Sequence, residues 1–154
     1  MFLQETQILS GKDVENLVSN QSLWENAIRK ADITAANKYA LRMTRAVHAL
    51  RETEAGRSEL EKLLSDPKPN LRLWAAGSVM AWAPDIALPI LAELLHEPLG
   101  KEAALQESVD IRTNAKGYLA RHFGLHPSDL RELPGRLADI GIDLPDDTVS
   151  QLRR

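Results

Sequence analysis

The sequence predicts an all-α protein, a stack of antiparallel helix pairs, and three observations lead there. Apolar residues recur at helical spacing in the patterned stretches, no run alternates with the period of a strand, and one segment combines a helix start, a helix stop and an unbroken apolar stripe. That segment is Asp66 to Pro84, where Leu71, Trp74, Ala75, Ser78, Val79 and Trp82 share one side of a helix and place both indoles on a stripe that must be buried. Leu73, Ala76, Gly77, Met80 and Ala81 fill much of the remaining circumference, and only Arg72 is charged, so neighbours are expected to cover this helix on more than one side.

A length of 154 residues, 44% hydrophobic and 27% charged, suits one domain with a sizeable core. The absence of cysteine excludes disulfides, thiolate zinc sites and a cysteine nucleophile, and makes the cytoplasm the expected location. The opening MFLQETQILSGKD lacks a signal-length apolar run, and no segment approaches the ~20 apolar residues of a membrane span. A net charge of −3 argues against a general nucleic-acid binder, which carries a basic excess.

In chain order, residues 1–20 offer one short stripe, Val14, Leu17 and Val18, and are expected to form an N-terminal cap helix. Ser22-Leu23-Trp24-Glu25 has the capping-box form, in which serine and glutamate satisfy each other's helix-end amides, so a second helix is expected from about residue 22 to 31. Tyr39, Met43, Ala46, Val47 and Leu50 mark one face of a helix over about 34 to 52, with Lys38, Arg42 and Arg45 on its other sides. Glu54 to Ser65 supplies Leu60, Leu63 and Leu64 for a more acidic helix, ended by Asp66-Pro67 because a residue before proline avoids helical geometry. Asn70 is the expected cap of the central helix, and Pro84 its stop. Asp85 then caps a helix whose face is Ile86, Ile90, Leu91, Leu94 and Leu95, with Pro89 in or just beyond the first turn.

Pro98 and Gly100 mark a loop over 97–107 with room for one helical turn. Ser108 or Asp110 caps the next helix, which runs on Ile111, Ala115, Tyr118, Leu119 and His122 to Phe123 and closes at Gly124. From Pro127 onward, Pro134, Gly135, Gly141 and Pro145 cut the chain into short pieces anchored by Leu130, Leu133, Leu137 and Ile140. The organisation is one domain over 1–154: a cap over 1–20, repeats over 21–124 and a C-terminal cap over 125–154, with about six to eight helices.

Those repeats show at an offset of forty residues, where Leu71 meets Ile111, Arg72 meets Arg112, Ala75 meets Ala115, Gly77 meets Gly117 and Val79 meets Leu119. Small residues at these places let helices approach closely. SDPKPNLRLWAAGSVM resembles a HEAT repeat, in which a turn aspartate and an arginine six residues later, here Asp66 and Arg72, precede a small-residue helix. Over residues 37–124, NKYALR, GRSELEKLLSDP, LRLWAAGSVMAWAPDIALPILAELL and a degenerate repeat ending in HFG are together similar to a family of short bacterial HEAT-like proteins, domain of unknown function two-zero-one-nine. The resemblance implies a HEAT-like α-solenoid, and some members of that family look like immunity partners of secreted bacterial toxins. It leaves out residues 125–154, and Gln106 stands where Arg112 would need its aspartate.

No stretch carries a catalytic or cofactor signature, and no catalytic, cofactor-binding or metal-ligating residue is assigned. His122 and His126 have a zinc-compatible spacing, but Gly124 and Pro127 argue against one helix through both, and no third ligand accompanies them. His48 and His96 read as packing or surface residues, and Ser78 lacks the strand-to-helix elbow of a nucleophile. Glu59, Glu61, Glu93 and Glu97 read as ordinary charges on exposed faces.

The feature with functional content is a division of charge. The resemblance puts the helices bearing Arg42, Arg72 and Arg112 on the concave side; these also carry Lys38, Arg45, Lys116 and Arg121, and no acid lies between Lys38 and Arg51. Acids such as Glu52, Glu54, Glu93, Glu102 and Glu107 sit on pairing helices and loops. Arg72, expected to bond Asp66 and the turn carbonyls, and Arg112 are set aside as structural. Lys38, Arg42, Arg45, Lys116 and Arg121 form the expected partner-binding face. The function this predicts is a non-enzymatic protein-binding module without a cofactor, in its most concrete form an inhibitor of a cognate bacterial toxin, met through an acidic surface. The alternative is a nucleic-acid-binding repeat protein with a basic concave groove, which the net charge disfavours.

Overall fold

The computed structural model describes residues 2–99 and 105–154, which form eight α-helices and, among the described residues, no strand. These are α1 (Phe2–Arg29), α2 (Ile33–Arg51), α3 (Glu54–Leu63), α4 (Pro69–Val79), α5 (Pro84–Glu93), α6 (Leu105–Phe123), α7 (Leu133–Asp139) and α8 (Asp146–Leu152). Each packs on its neighbours in sequence from α1 to α6, and α4 in addition touches α1, α2 and α6. No helix is long and apolar enough to cross a membrane among the described residues.

The first helix corrects the expected break at residue 22. Ser22 is exposed in mid-helix, so the capping-box signature is not used. The buried face of α1 runs through Leu17, Asn20, Gln21 and Ala27, with Trp24 half-buried, and packs along α2. Two buried amides interrupt the apolar pattern of the sequence without interrupting the helix. Gln21 is satisfied by Asn70, whose side-chain amide donates to Gln21 Oε1, and by Glu25, which accepts from Gln21 Nε2 at 2.8 Å. Lys68 Nζ closes the chain of contacts on Glu25 Oε2 at 3.0 Å, tying α1 to the start of α4.

Turns between helices follow local chemistry. After α1, Ala31 takes a left-handed φ of 56° while Asp32 N donates to Ala27 O at 2.9 Å, so Asp32 ends α1 and also caps α2 by accepting from Ala35 N at 3.0 Å. Thr53 caps α3 through Gly56 N at 2.9 Å. Gly56 is needed there, since a methyl group on it would lie 2.7 Å from Leu50 C. Asp66 accepts from Lys68 N at 2.9 Å, which shapes the turn into α4.

Several expected caps move. Pro69 and Pro84 occupy the first positions of α4 and α5, where a missing amide costs nothing, so Lys68 and Ala83 are the capping residues; Asn70 and Asp85 lie inside the helices. Residues 100–104 of the expected loop, with Glu102, lie outside the described residues. α6 is already helical at Leu105, before Ser108 and Asp110. It ends as expected at Gly124, whose φ is +69°, with Leu125 N donating to Ala120 O at 2.8 Å. Beyond it Leu130, Leu133 and Leu137 are buried, whereas Ile140 is 51% exposed and anchors nothing.

The core is one cluster fed by α1 to α8, and α4 sits at its centre with Leu71, Leu73, Ala75, Ala76 and Val79 all buried. Burial on more than one side is therefore as expected, but the indoles are not core residues. Trp74 is half-buried, and α4 stops at Val79, so Trp82 lies in the turn that follows, also half-buried. Its indole Nε1 donates to Glu61 Oε1 at 2.9 Å, and the Arg57 guanidinium lies 5.8 Å from its ring centre.

Candidate functional site

α2, α4 and α6 lie side by side, and a groove of about 590 Å³ runs across them. α2 contributes His48 and Arg51, α4 contributes Trp74, and α6 contributes Tyr118, Arg121 and His122. Among the described residues, no carboxylate lines it. Among the described residues, neither Arg51 nor Arg121 has an acid within ion-pair distance. Two guanidiniums beside two aromatic faces are chemistry for an anionic or planar group.

The groove exists because α4 carries glycine where α6 brings a ring. A methyl group on Gly77 would lie 2.6 Å from Tyr118 Oη, so only a bare backbone lets the ring settle there. Helical spacing then sets the rim, since Tyr118, Arg121 and His122 follow one another at three and four residues on one face of α6.

The five basic residues expected to form the partner face are distributed over several places. Arg121 lines the groove. Arg42 and Arg45 instead line a cavity of about 390 Å³ against α1, together with Asp13, Asn16 and Asn20. Burial there pushes the Asp13 carboxyl above its ordinary value of 3.8. Lys38 and Arg42 both lie near the Tyr39 ring, at 5.6 and 5.8 Å from its centre. Lys116 is half-buried on α6, outside the groove lining. Arg51, His48 and His122 were not part of the expected partner face; the available signal was the register of His48 and Arg51 with Thr44 and Val47 on α2, and that of His122 with Tyr118 on α6.

The two arginines set aside as structural are structural, with different partners. Arg72 does not reach Asp66; its Nη1 lies 2.9 Å from Glu97 Oε1 and its Nη2 donates to Glu97 Oε2 at 3.1 Å. Arg112 donates to Leu94 O at 2.7 Å and to Glu97 O at 2.8 Å. The segment after α5 is thus clamped between α4 and α6, and neither Glu97 nor Glu61 is the plain surface charge the sequence suggested. His122 packs edge-on against Phe123, with ring centres 4.8 Å apart, while His126, past the end of α6, takes Ser128 as its partner at 2.6 Å.

A second cavity, of about 320 Å³, adjoins the groove and shares Trp74 and Tyr118 with it. Trp24, Asn70, Asp110 and Asn114 complete its polar and aromatic wall. No family model, curated protein or solved structure matches the chain.

Proposed function

We propose that the protein is a non-catalytic binding module, built as a HEAT-like stack, whose groove across α2, α4 and α6 receives an acidic segment of a partner protein. The observation that carries this reading is the lining of the groove: Arg51 and Arg121 share it with Trp74 and Tyr118, and among the described residues no carboxylate joins them. A groove formed by packed helices binds at little ordering cost, and unpaired guanidiniums favour carboxylates. The stack is supported by α4 lying against both α2 and α6, and by matching burial at an offset of forty residues, Leu71 with Ile111 and Ala75 with Ala115. The narrower form, an inhibitor of a toxin, rests on the family resemblance alone.

The nucleic-acid reading has one observation in its favour, the same pairing of arginine with aromatic rings. The net charge of −3 weighs against it. Fluorescence anisotropy with glutamate-rich peptides and with single- and double-stranded DNA separates the two. The expected result is peptide binding that weakens at least about tenfold in the Arg51→Glu/Arg121→Glu variant and fades with salt. DNA binding tighter than peptide binding at physiological salt replaces the first reading with the second, and peptide binding indifferent to the reversals removes the groove from it.

A further inference from the structure

We infer that the groove across α2, α4 and α6 binds a phosphomonoester carried on a planar ring, which a partner protein supplies as a phosphorylated tyrosine. This deepens the proposed function and rests on it for the source of the ligand. Arg51 comes from α2 and Arg121 from α6, and both line one cavity of about 590 Å³, within the ~300–1,000 Å³ of small-ligand sites. Among the described residues, neither guanidinium has an ion pair or a hydrogen bond within the protein. α2 and α6 each pack on α4 and do not pack on each other, so the two guanidiniums approach a ligand from separate helices.

That arrangement separates the kinds of anion. A carboxylate presents a single edge of two oxygens, which takes one guanidinium fork. A phosphomonoester has three terminal oxygens and so three such edges, which take a fork from each helix at once. Its charge near −2 at neutral pH also matches two arginines. A phosphodiester, with two terminal oxygens and a single charge, matches one. His48 and His122 bring ring nitrogens from the same two helices. Thr44 adds no donor, because its hydroxyl donates to Ala40 O at 3.0 Å. Beside these polar groups, Trp74 and Tyr118 offer aromatic surface, which a phosphotyrosine ring covers and the short stem of a phosphoserine leaves open.

Calorimetric titrations at constant ionic strength and about pH 7.5, where a phosphomonoester is mostly a dianion, test the two halves of the ligand separately. Phthalate keeps the ring and the charge without the phosphoryl group, and inorganic phosphate keeps the phosphoryl group without the ring. Phenyl phosphate is expected to bind at least about tenfold tighter than either, and Arg51→Gln and Arg121→Gln are each expected to weaken it about tenfold. Arg121 is exposed, so its variant should keep the wild-type melting temperature and carries the test if Arg51→Gln unfolds. Phthalate binding as tight as that of phenyl phosphate overturns the choice of a phosphoryl group, and equal binding of inorganic phosphate overturns the ring. Phenyl phosphate affinity unchanged in Arg121→Gln removes the site. A second arm compares a phosphotyrosine peptide, its unphosphorylated form and adenosine monophosphate. A phosphotyrosine peptide tighter than phenyl phosphate assigns the group to a partner side chain; adenosine monophosphate tighter than both assigns it to a free nucleotide and overturns the tyrosine. Failure of glutamate-rich peptides while phenyl phosphate binds removes the reading of a carboxylate-rich segment and leaves the phosphoryl site. Binding of those peptides with no advantage of phenyl phosphate over phthalate leaves that reading and removes this inference.

Discussion

α4 and α6 carry the same buried positions forty residues apart, yet they are not buried alike. Leu71 and Ile111, Ala75 and Ala115, and Val79 and Leu119 are all within 1% of full burial. On the next face the match fails: Leu73 and Ala76 of α4 are buried, whereas Thr113 of α6 is exposed and Lys116 half-exposed. Among the described residues, α4 packs on α1, α2, α3, α5 and α6, whereas α6 packs on α1, α4, α5 and α7. The repeat therefore writes one face, and the number of neighbours decides whether a second face must be apolar too.

The largest effects test that division. Leu71→Ala and Ile111→Ala are each expected to cost about 2 to 5 kcal/mol in chemical denaturation, because each removes a fully buried branched side chain. Leu73→Ala should cost nearly as much, whereas Thr113→Ala should stay within about 0.5 kcal/mol. A Thr113 variant as damaging as the Leu73 variant would mean that α6 has a second covered face and that the two helices are equivalent after all.

An intermediate effect is expected at the repeat-related arginines. Arg72→Met leaves the Glu97 carboxylate, with 17% of its side chain exposed, without its cation, and Arg112→Met strips the carbonyls of Leu94 and Glu97 of their donors. Each should cost about 1 to 3 kcal/mol. Since both arginines hold the same segment after α5, the double variant should cost less than the sum, and strict additivity would show that the two clamps act apart.

Much of this was legible in the sequence and the rest was hidden for definite reasons. The helix count, the central place of α4, its two-sided burial and the glycine closure of α6 follow from period, composition and turn chemistry. The continuity of α1 was hidden because Asn20 and Gln21 occupy buried positions that an apolar pattern cannot register. Arg72 was matched to the wrong acid because its true partner, Glu97, lies twenty-five residues on and meets it only once α5 has folded back. The site was half legible. Arg121 stood out as a basic residue on the right helix, but Arg51, His48 and the role of Tyr118 depend on how α2, α4 and α6 line up side by side. Lys38, Arg42 and Arg45 share a helix with Arg51 and still face elsewhere, because residues six, nine and thirteen positions before it do not all point its way.

The smallest stability effects, at the paired glycines, sharpen the comparison most. Gly77 lies beneath the Tyr118 ring, and Gly117 has nothing within 4 Å of where a methyl group would go. In a helix interior, alanine is favoured over glycine by about 1 kcal/mol, and Gly117→Ala should stabilise by about 0.5 to 1 kcal/mol accordingly. Gly77→Ala gains the same helix term but collides with the far end of the tyrosine, which must swing away or strain its neighbours at about 1 to 3 kcal/mol. Its net effect should lie between neutral and a loss of about 2 kcal/mol, opposite in sign to Gly117→Ala. In a Tyr118→Ala background the collision disappears, so Gly77→Ala should there become stabilising, by the same amount as Gly117→Ala. The ring also lines the groove, so Gly77→Ala should alter peptide binding, and Gly117→Ala should not. If both glycine variants behave alike, the ring does not rest on α4, and the wall common to the two cavities is built in some other way.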